Sequence, residues 1–285
     1  MELLGEPLAY GFMQRAFAVS IVAAVVCGVL SCWLVLIGWS LMGDAVSHAV
    51  LPGVVLAYLL GMPFALGALV FGLLAVALIA GVRERTVIRE DAAMGIVFTV
   101  LFALGLVLVS VIPSQTDLNH ILFGNLLGVS VGALLQVLVL GAGALAVLLL
   151  KRRDLTLYAF DPTHAQALGL NPRRLGALLL VLLAVTIVVA LQAVGVVLVV
   201  AMLIIPGATA RLLSDRFGTM LALAPALSVA CAVLGIYASY YLDTASGPMI
   251  VLAQGLVFTL AYLLAPGSGV LRAHRPARAH RTPVA

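Results

Sequence analysis

The chain has 285 residues, 64% of them hydrophobic and 9% charged, with a formal net charge of +4 and a mean hydropathy of +1.25. A soluble domain of this length needs far more charge to cover its surface, so that class is excluded. A membrane-crossing helix takes about 20 apolar residues to span about 30 Å of hydrocarbon, which leaves room for eight or nine crossings and for no separate soluble catalytic domain.

The composition therefore predicts an all-α polytopic membrane protein, with eight or nine transmembrane helices plus short interfacial or coupling helices. Residues 1–15 lack the basic start and small-residue cleavage site of a signal peptide, so the first crossing is expected to stay as an anchor. Leu3, Leu4, Leu8 and Phe12 suit an interfacial helix ahead of it. Apolar stretches predict crossings over residues 16–37, 45–61, 64–82, 92–112, 131–150, 175–193, 195–210, 219–242 and 249–266. The second is short and has Asp44 at its start, which reads as a half-helix or as one arm of a hairpin with its neighbour. Residues 113–130 hold an apolar run too short to span, broken by Gly124 and Gly128, and predict a re-entrant or interfacial segment. Residues 1–266 are thus expected to form one transmembrane domain, and 267–285, rich in Pro, Arg and Ala, a disordered basic tail.

Short loops rich in arginine and lysine stay cytoplasmic. With nine crossings, 14 of the 15 basic residues fall on one side, and only Arg15 falls on the other. The N-terminus is then outside, and the C-terminus in the cytoplasm of a bacterial inner membrane. The positive charge is accordingly a topology signal in a lipid bilayer, with no nucleic-acid partner implied. Cys27, Cys32 and Cys231 sit in apolar stretches without paired spacing and read as small buried hydrophobes.

One stretch places ionisable groups among apolar ones: residues 43–53, GDAVSHAVLPG. Asp44, Ser47 and His48 are spaced i, i+3 and i+4, so on a helix they share one face. A carboxylate and an imidazole a turn apart make half a metal site, suited to Mn²⁺, Fe²⁺ or Zn²⁺ rather than to the sulfur-seeking Cu⁺. Ionisable groups at mid-membrane cost about 2.5 to 3.5 kcal/mol each, which favours a functional reason for two on one face. Two blander roles compete: Asp44 after Gly43 is where a helix N-cap belongs, and His48 can be a packing residue bonded to a neighbouring carbonyl. Ser47 reads as a helix-packing residue, and Pro52 as a kink beside the site.

The run LMGDAVSHAVLPGVVLAYLLG, residues 41–61, resembles the signature of the zinc and manganese permeases of ATP-binding-cassette importers. GVVLVVAMLIIPGATARLL, residues 195–213, and HILFGNLLGVS, residues 120–130, are similar to that family's late helix and middle segment. The resemblance runs from about residue 12 to residue 266. It departs at Gly38 and Trp39, where many members carry a basic pair. The resemblance implies a permease that works with a second copy of itself, receives its ion from an extracytoplasmic metal-binding protein, and is driven by cytoplasmic ATP-binding subunits. It also implies Asp44 and His48 as metal ligands, with no permanently bound cofactor. The SHAVLPG form resembles the manganese and iron members more than the zinc branch, which favours manganese as cargo.

The chain holds no G-x-x-x-x-G-K-[ST] run, so ATP hydrolysis is expected in a partner and not in this chain. In the longest basic loop, FDPTHAQALGLNPRR, residues 160–174, Asp161 suits a cap, Pro162 a first helical position and Gly169 a stop, predicting a helix of about two turns. The loop resembles the family's coupling helix, which implies that Asp161, Ala165 and Gly169 seat on the ATPase. Because imidazole binds metal only when neutral, uptake is expected to fall on acidification. Three rivals come from other readings. A proton-coupled secondary metal transporter needs no ATPase. An intramembrane metalloenzyme needs three protein ligands and a base. A vitamin or siderophore permease needs a wide path and no metal ligands.

Overall fold

Backbone groups in hydrocarbon have no water to bond, so long apolar runs satisfy them internally as helices. The computed structural model describes residues 6–85, 87, 89–111 and 126–265. The expected disordered tail, Leu3 and Leu4 of the expected interfacial helix, and most of the expected re-entrant segment lie outside these residues. Within them the chain forms α1 (Gly11–Ile37), α2 (Ser40–Ala49), α3 (Leu51–Leu59), α4 (Phe64–Arg85), α5 (Glu90–Val111), α6 (Val131–Leu150), α7 (Arg152–Phe160), α8 (Pro162–Ala167), α9 (Pro172–Val194), α10 (Val196–Leu213), α11 (Phe217–Leu242) and α12 (Ser246–Leu264). There is no strand among the described residues.

Eight of these segments are long and apolar enough to cross a membrane, counting Ser40–Leu59 as one, and the apolar part of α10, Val199–Leu213, is shorter. At 1.5 Å per residue the whole of α10 runs about 27 Å, just under the hydrocarbon thickness, which is why the count stands between eight and nine. Within the described residues each of the nine apolar stretches read from the sequence is helical over most of its length. The second starts at Ser40 rather than at residue 45, because Gly38 at φ +85° ends α1 and leaves only Trp39 as a link.

The centre of the bundle is α1, which packs on α6, α9, α10 and α11. Small residues on its faces, Ala16, Ala23 and Ala24, are buried with Leu30, Trp33 and Leu34. Such packing, and not escape from water, holds helices together in lipid. All three cysteines are buried and free. Pro206 interrupts α10, and α1 compensates there: Gly207 donates its N–H to Ser31 Oγ at 2.8 Å, and Ser31 donates onward to the Ile204 carbonyl at 3.4 Å. The start of α1 is tied to the segment before α6, where Arg15 Nε donates to the Val129 carbonyl at 3.0 Å.

The joined α2–α3 segment lies against α4, α5 and α10. Where α3 crosses α4, Gly53 faces Gly67, and a Cβ on either would run into the carbonyl oxygen of the other. Only glycine permits two backbones to approach so closely. This crossing sits one turn beyond the ionisable pair.

Candidate metal site

Asp44 is the fifth residue of α2, well inside the helix, and Trp39 occupies the N-cap position without a side-chain cap bond. The N-cap alternative for Asp44 is thereby removed: its carboxylate leaves the side of the helix one turn after the free amides. The rise of 1.5 Å per residue puts Asp44 about 6 Å and His48 about 12 Å from the start of a segment about 30 Å long, so the imidazole stands near the middle.

The spacing brings the two side chains together. His48 Nδ1 is 3.2 Å from Asp44 Oδ1, with the side chains 18% and 39% exposed. The same nitrogen lies 3.1 Å from the Asp44 carbonyl and 3.4 Å from Ser47 Oγ. Ser47 is fully buried and its hydroxyl donates to the Asp44 carbonyl at 2.9 Å, so it braces the turn that carries the pair. With Nδ1 turned to Asp44, Nε2 is the nitrogen left for a metal, an arrangement in which a carboxylate fixes the tautomer and ring direction of a ligating histidine.

Two residues not anticipated from the sequence complete the wall. Phe98 and Phe102 of α5 hold the His48 ring edge-on, with centroids at 5.2 Å and 71° and at 5.4 Å and 81°. They stack on one another at 5.9 Å. Their i, i+4 spacing could have flagged them as a pair on one face, but nothing local joins them to a histidine fifty residues earlier. On the other side, Pro52 is the second residue of α3 and brings no N–H to the His48 carbonyl one turn back, which accepts the Val50 N–H. The expected kink is therefore a change of helix at Val50. Among the described residues no three His, Cys, Asp or Glu side chains come together, and Asp44 and His48 are the ionisable pair at this place.

A family model described as the ABC 3 transport family matches residues 9–265. The chain belongs to this family. It is 53% identical to the "Manganese transport system membrane protein MntB" of Synechocystis sp., over 94% of this chain and 88% of that protein. It is 52% identical to the "Chelated iron transport system membrane protein YfeD" of Yersinia pestis, over 92% of this chain and 88% of that one. The solved structure "PsaBC from Streptococcus pneumoniae in complex with Fab" superposes with a TM-score of 0.87 at 39% identity, covering 95% of this chain and 98% of that chain.

In this member of the ABC 3 family the basic loop folds as its residues predict. Asp161 Oδ1 accepts the N–H groups of Thr163 at 2.9 Å and His164 at 3.0 Å, with Pro162 at the first helical position of α8. Gly169 takes φ +82°, and the Leu170 N–H returns to the Ala165 carbonyl at 3.0 Å, closing the helix with a left-handed glycine. Ala165 is buried, pinning α8 to the membrane helices, and the remaining residues 161–169 are exposed.

Proposed function

We propose that this chain is the membrane-spanning permease subunit of an ATP-driven importer of a divalent transition metal, with manganese as the preferred cargo and Asp44 and His48 as ligands on its path. One observation carries the reading: a carboxylate and an imidazole stand side by side, partly accessible, halfway through an otherwise apolar segment. A dehydrating ion needs oxygen and nitrogen to replace its water, and few enough of them to let it leave. Two ligands from one chain leave coordination positions open, which fits a passing ion and a second copy of the chain facing the first. The relatives named for manganese and chelated iron support metal as cargo, and the oxygen–nitrogen donor pair suits both ions.

The partners follow from the same reading. A cytoplasmic ATP-binding subunit seats on α8, where Asp161 sets the helix start, Ala165 anchors it and Gly169 ends it. An extracytoplasmic metal-binding protein delivers the ion. The chain lies in the inner membrane with its N-terminus outside and its C-terminus inside, and it carries no ATPase chemistry of its own. Closure of the ATP-binding subunits tilts the helices, pulls the ligands apart and releases the ion inward.

The test uses sealed vesicles holding the complete transporter, with Mn²⁺ uptake measured against competing Zn²⁺ and Fe²⁺. Asp44→Ala and His48→Ala are expected to abolish uptake while the permease still folds and still binds the ATP-binding subunit. Wild-type uptake by both variants would refute the site. Uptake by the purified chain alone, down a proton gradient, would instead establish a secondary transporter.

A further inference from the structure

Outside the ion path, the basic end of the bundle holds two adjoining cavities. One, of about 450 Å³, is walled by Met42, Ile79, Ala80, Ala177 and Leu180, with Trp39, Tyr158 and Arg173 among its other lining residues. The other, of about 530 Å³, is lined by Gln166, Gly169, Leu170, Asn171, Pro172 and Arg173. Pro172 and Arg173 stand in both walls, so an apolar chamber and a polar one share a partition.

We propose that this pair of cavities binds one anionic glycerophospholipid of the surrounding leaflet, its headgroup phosphate on Arg173 and an acyl chain in the apolar chamber. Three observations argue for lipid over a soluble partner's side chain. The chamber reaches deep: Leu180 lies eight residues along α9 from Pro172, about 12 Å toward the membrane centre, and Met42 and Ile79 at its back are buried. Its wall at Ala177 is exposed on a membrane-spanning helix, which opens it sideways to lipid. The charge is complementary, since Arg173 is exposed and pairs with no carboxylate among the described residues. Basic pockets between membrane helices on the cytoplasmic side suit anionic headgroups, and the Trp39 and Tyr158 rings match the interfacial depth. A lipid held there touches α9, α7 and Pro162 of α8 together, bracing the loop against the bundle.

The site is independent of the metal assignment and is tested without transport. The purified full chain, alone and assembled with its ATP-binding subunit, is placed in nanodiscs of equal phosphatidylglycerol and phosphatidylcholine, and the lipid retained on release is read by native mass spectrometry. Phosphatidylglycerol is expected to be retained over phosphatidylcholine in both assemblies. Arg173→Gln lowers that retention about tenfold, the loss of a charge-assisted hydrogen bond, whereas Arg173→Lys keeps it. Ala177→Trp blocks the mouth and lowers retention with the charge intact. Arg153→Gln, outside both cavities, leaves it unchanged. Wild-type retention in Arg173→Gln or in Ala177→Trp would overturn the proposal. So would an Arg153→Gln effect as large as that of Arg173→Gln, which marks diffuse attraction, or loss of lipid on adding the ATP-binding subunit, which assigns the cavities to that partner.

Discussion

An imidazole nitrogen lone pair holds either a proton or a metal ion, so the two compete at His48. Mn²⁺ uptake in vesicles is therefore expected to fall on acidification, and a flat profile would contradict His48 as a ligand. Asp44→Asn keeps an acceptor for Nδ1 and loses the charge. Uptake should drop by about 10- to 100-fold, the range for disturbing a histidine's carboxylate partner or its equivalent at a metal, with the fold intact by circular dichroism. Phe98→Ala removes one of the two rings that hold the imidazole edge-on, a contact worth about 0.5 to 1.5 kcal/mol. Metal affinity measured by calorimetry should weaken by several-fold, and an unchanged affinity would show that the ring is mere filling. The Asp44–His48 pair was legible because the helical period alone brings i and i+4 together. The phenylalanines were not, because their meeting with His48 depends on how α5 packs.

At the level of elements, local chemistry was read well wherever a helix end is set by its own residues. Asp161, Pro162 and Gly169 cap, start and stop α8 with neighbours only a few positions away. The start of α2 was misplaced because Gly43 and Asp44 look like a helix opening, whereas the break lies at Gly38, whose φ of +85° is not evident from its sequence neighbours. Asp161→Ala should remove about 1 kcal/mol of helix stability and weaken attachment of the ATP-binding subunit, while metal binding at the central site stays intact. Co-purification with that subunit, set against metal affinity of the isolated permease, separates the two effects. Gly67→Val places a branched side chain against the Gly53 carbonyl. Overpacking of this kind costs about 1 to 3 kcal/mol or more, and thermal unfolding in detergent should shift well below that of the parent.

For the whole molecule, the helical character of the apolar runs followed from hydropathy, because lipid imposes helices on every apolar run. Which faces meet was not legible, since leucine serves lipid and neighbour alike. On α12, Leu252, Leu256, Leu260 and Leu264 recur every four residues as one exposed stripe, open equally to acyl chains or to a second copy. The proposed facing of two copies makes a prediction at this scale: metal bound at saturation should be one ion per two chains, by elemental analysis of the purified transporter. One ion per chain would mean that each permease completes the site by itself.

The crossing of Gly53 and Gly67 bears on how such a machine transmits force. Side chains absorb displacement by changing rotamer, but peptide groups pressed together have no such slack. Sliding of α3 must carry α4 along with it. The segment that follows the ionisable pair and the long helix that descends to the basic end are thus held in register at this crossing.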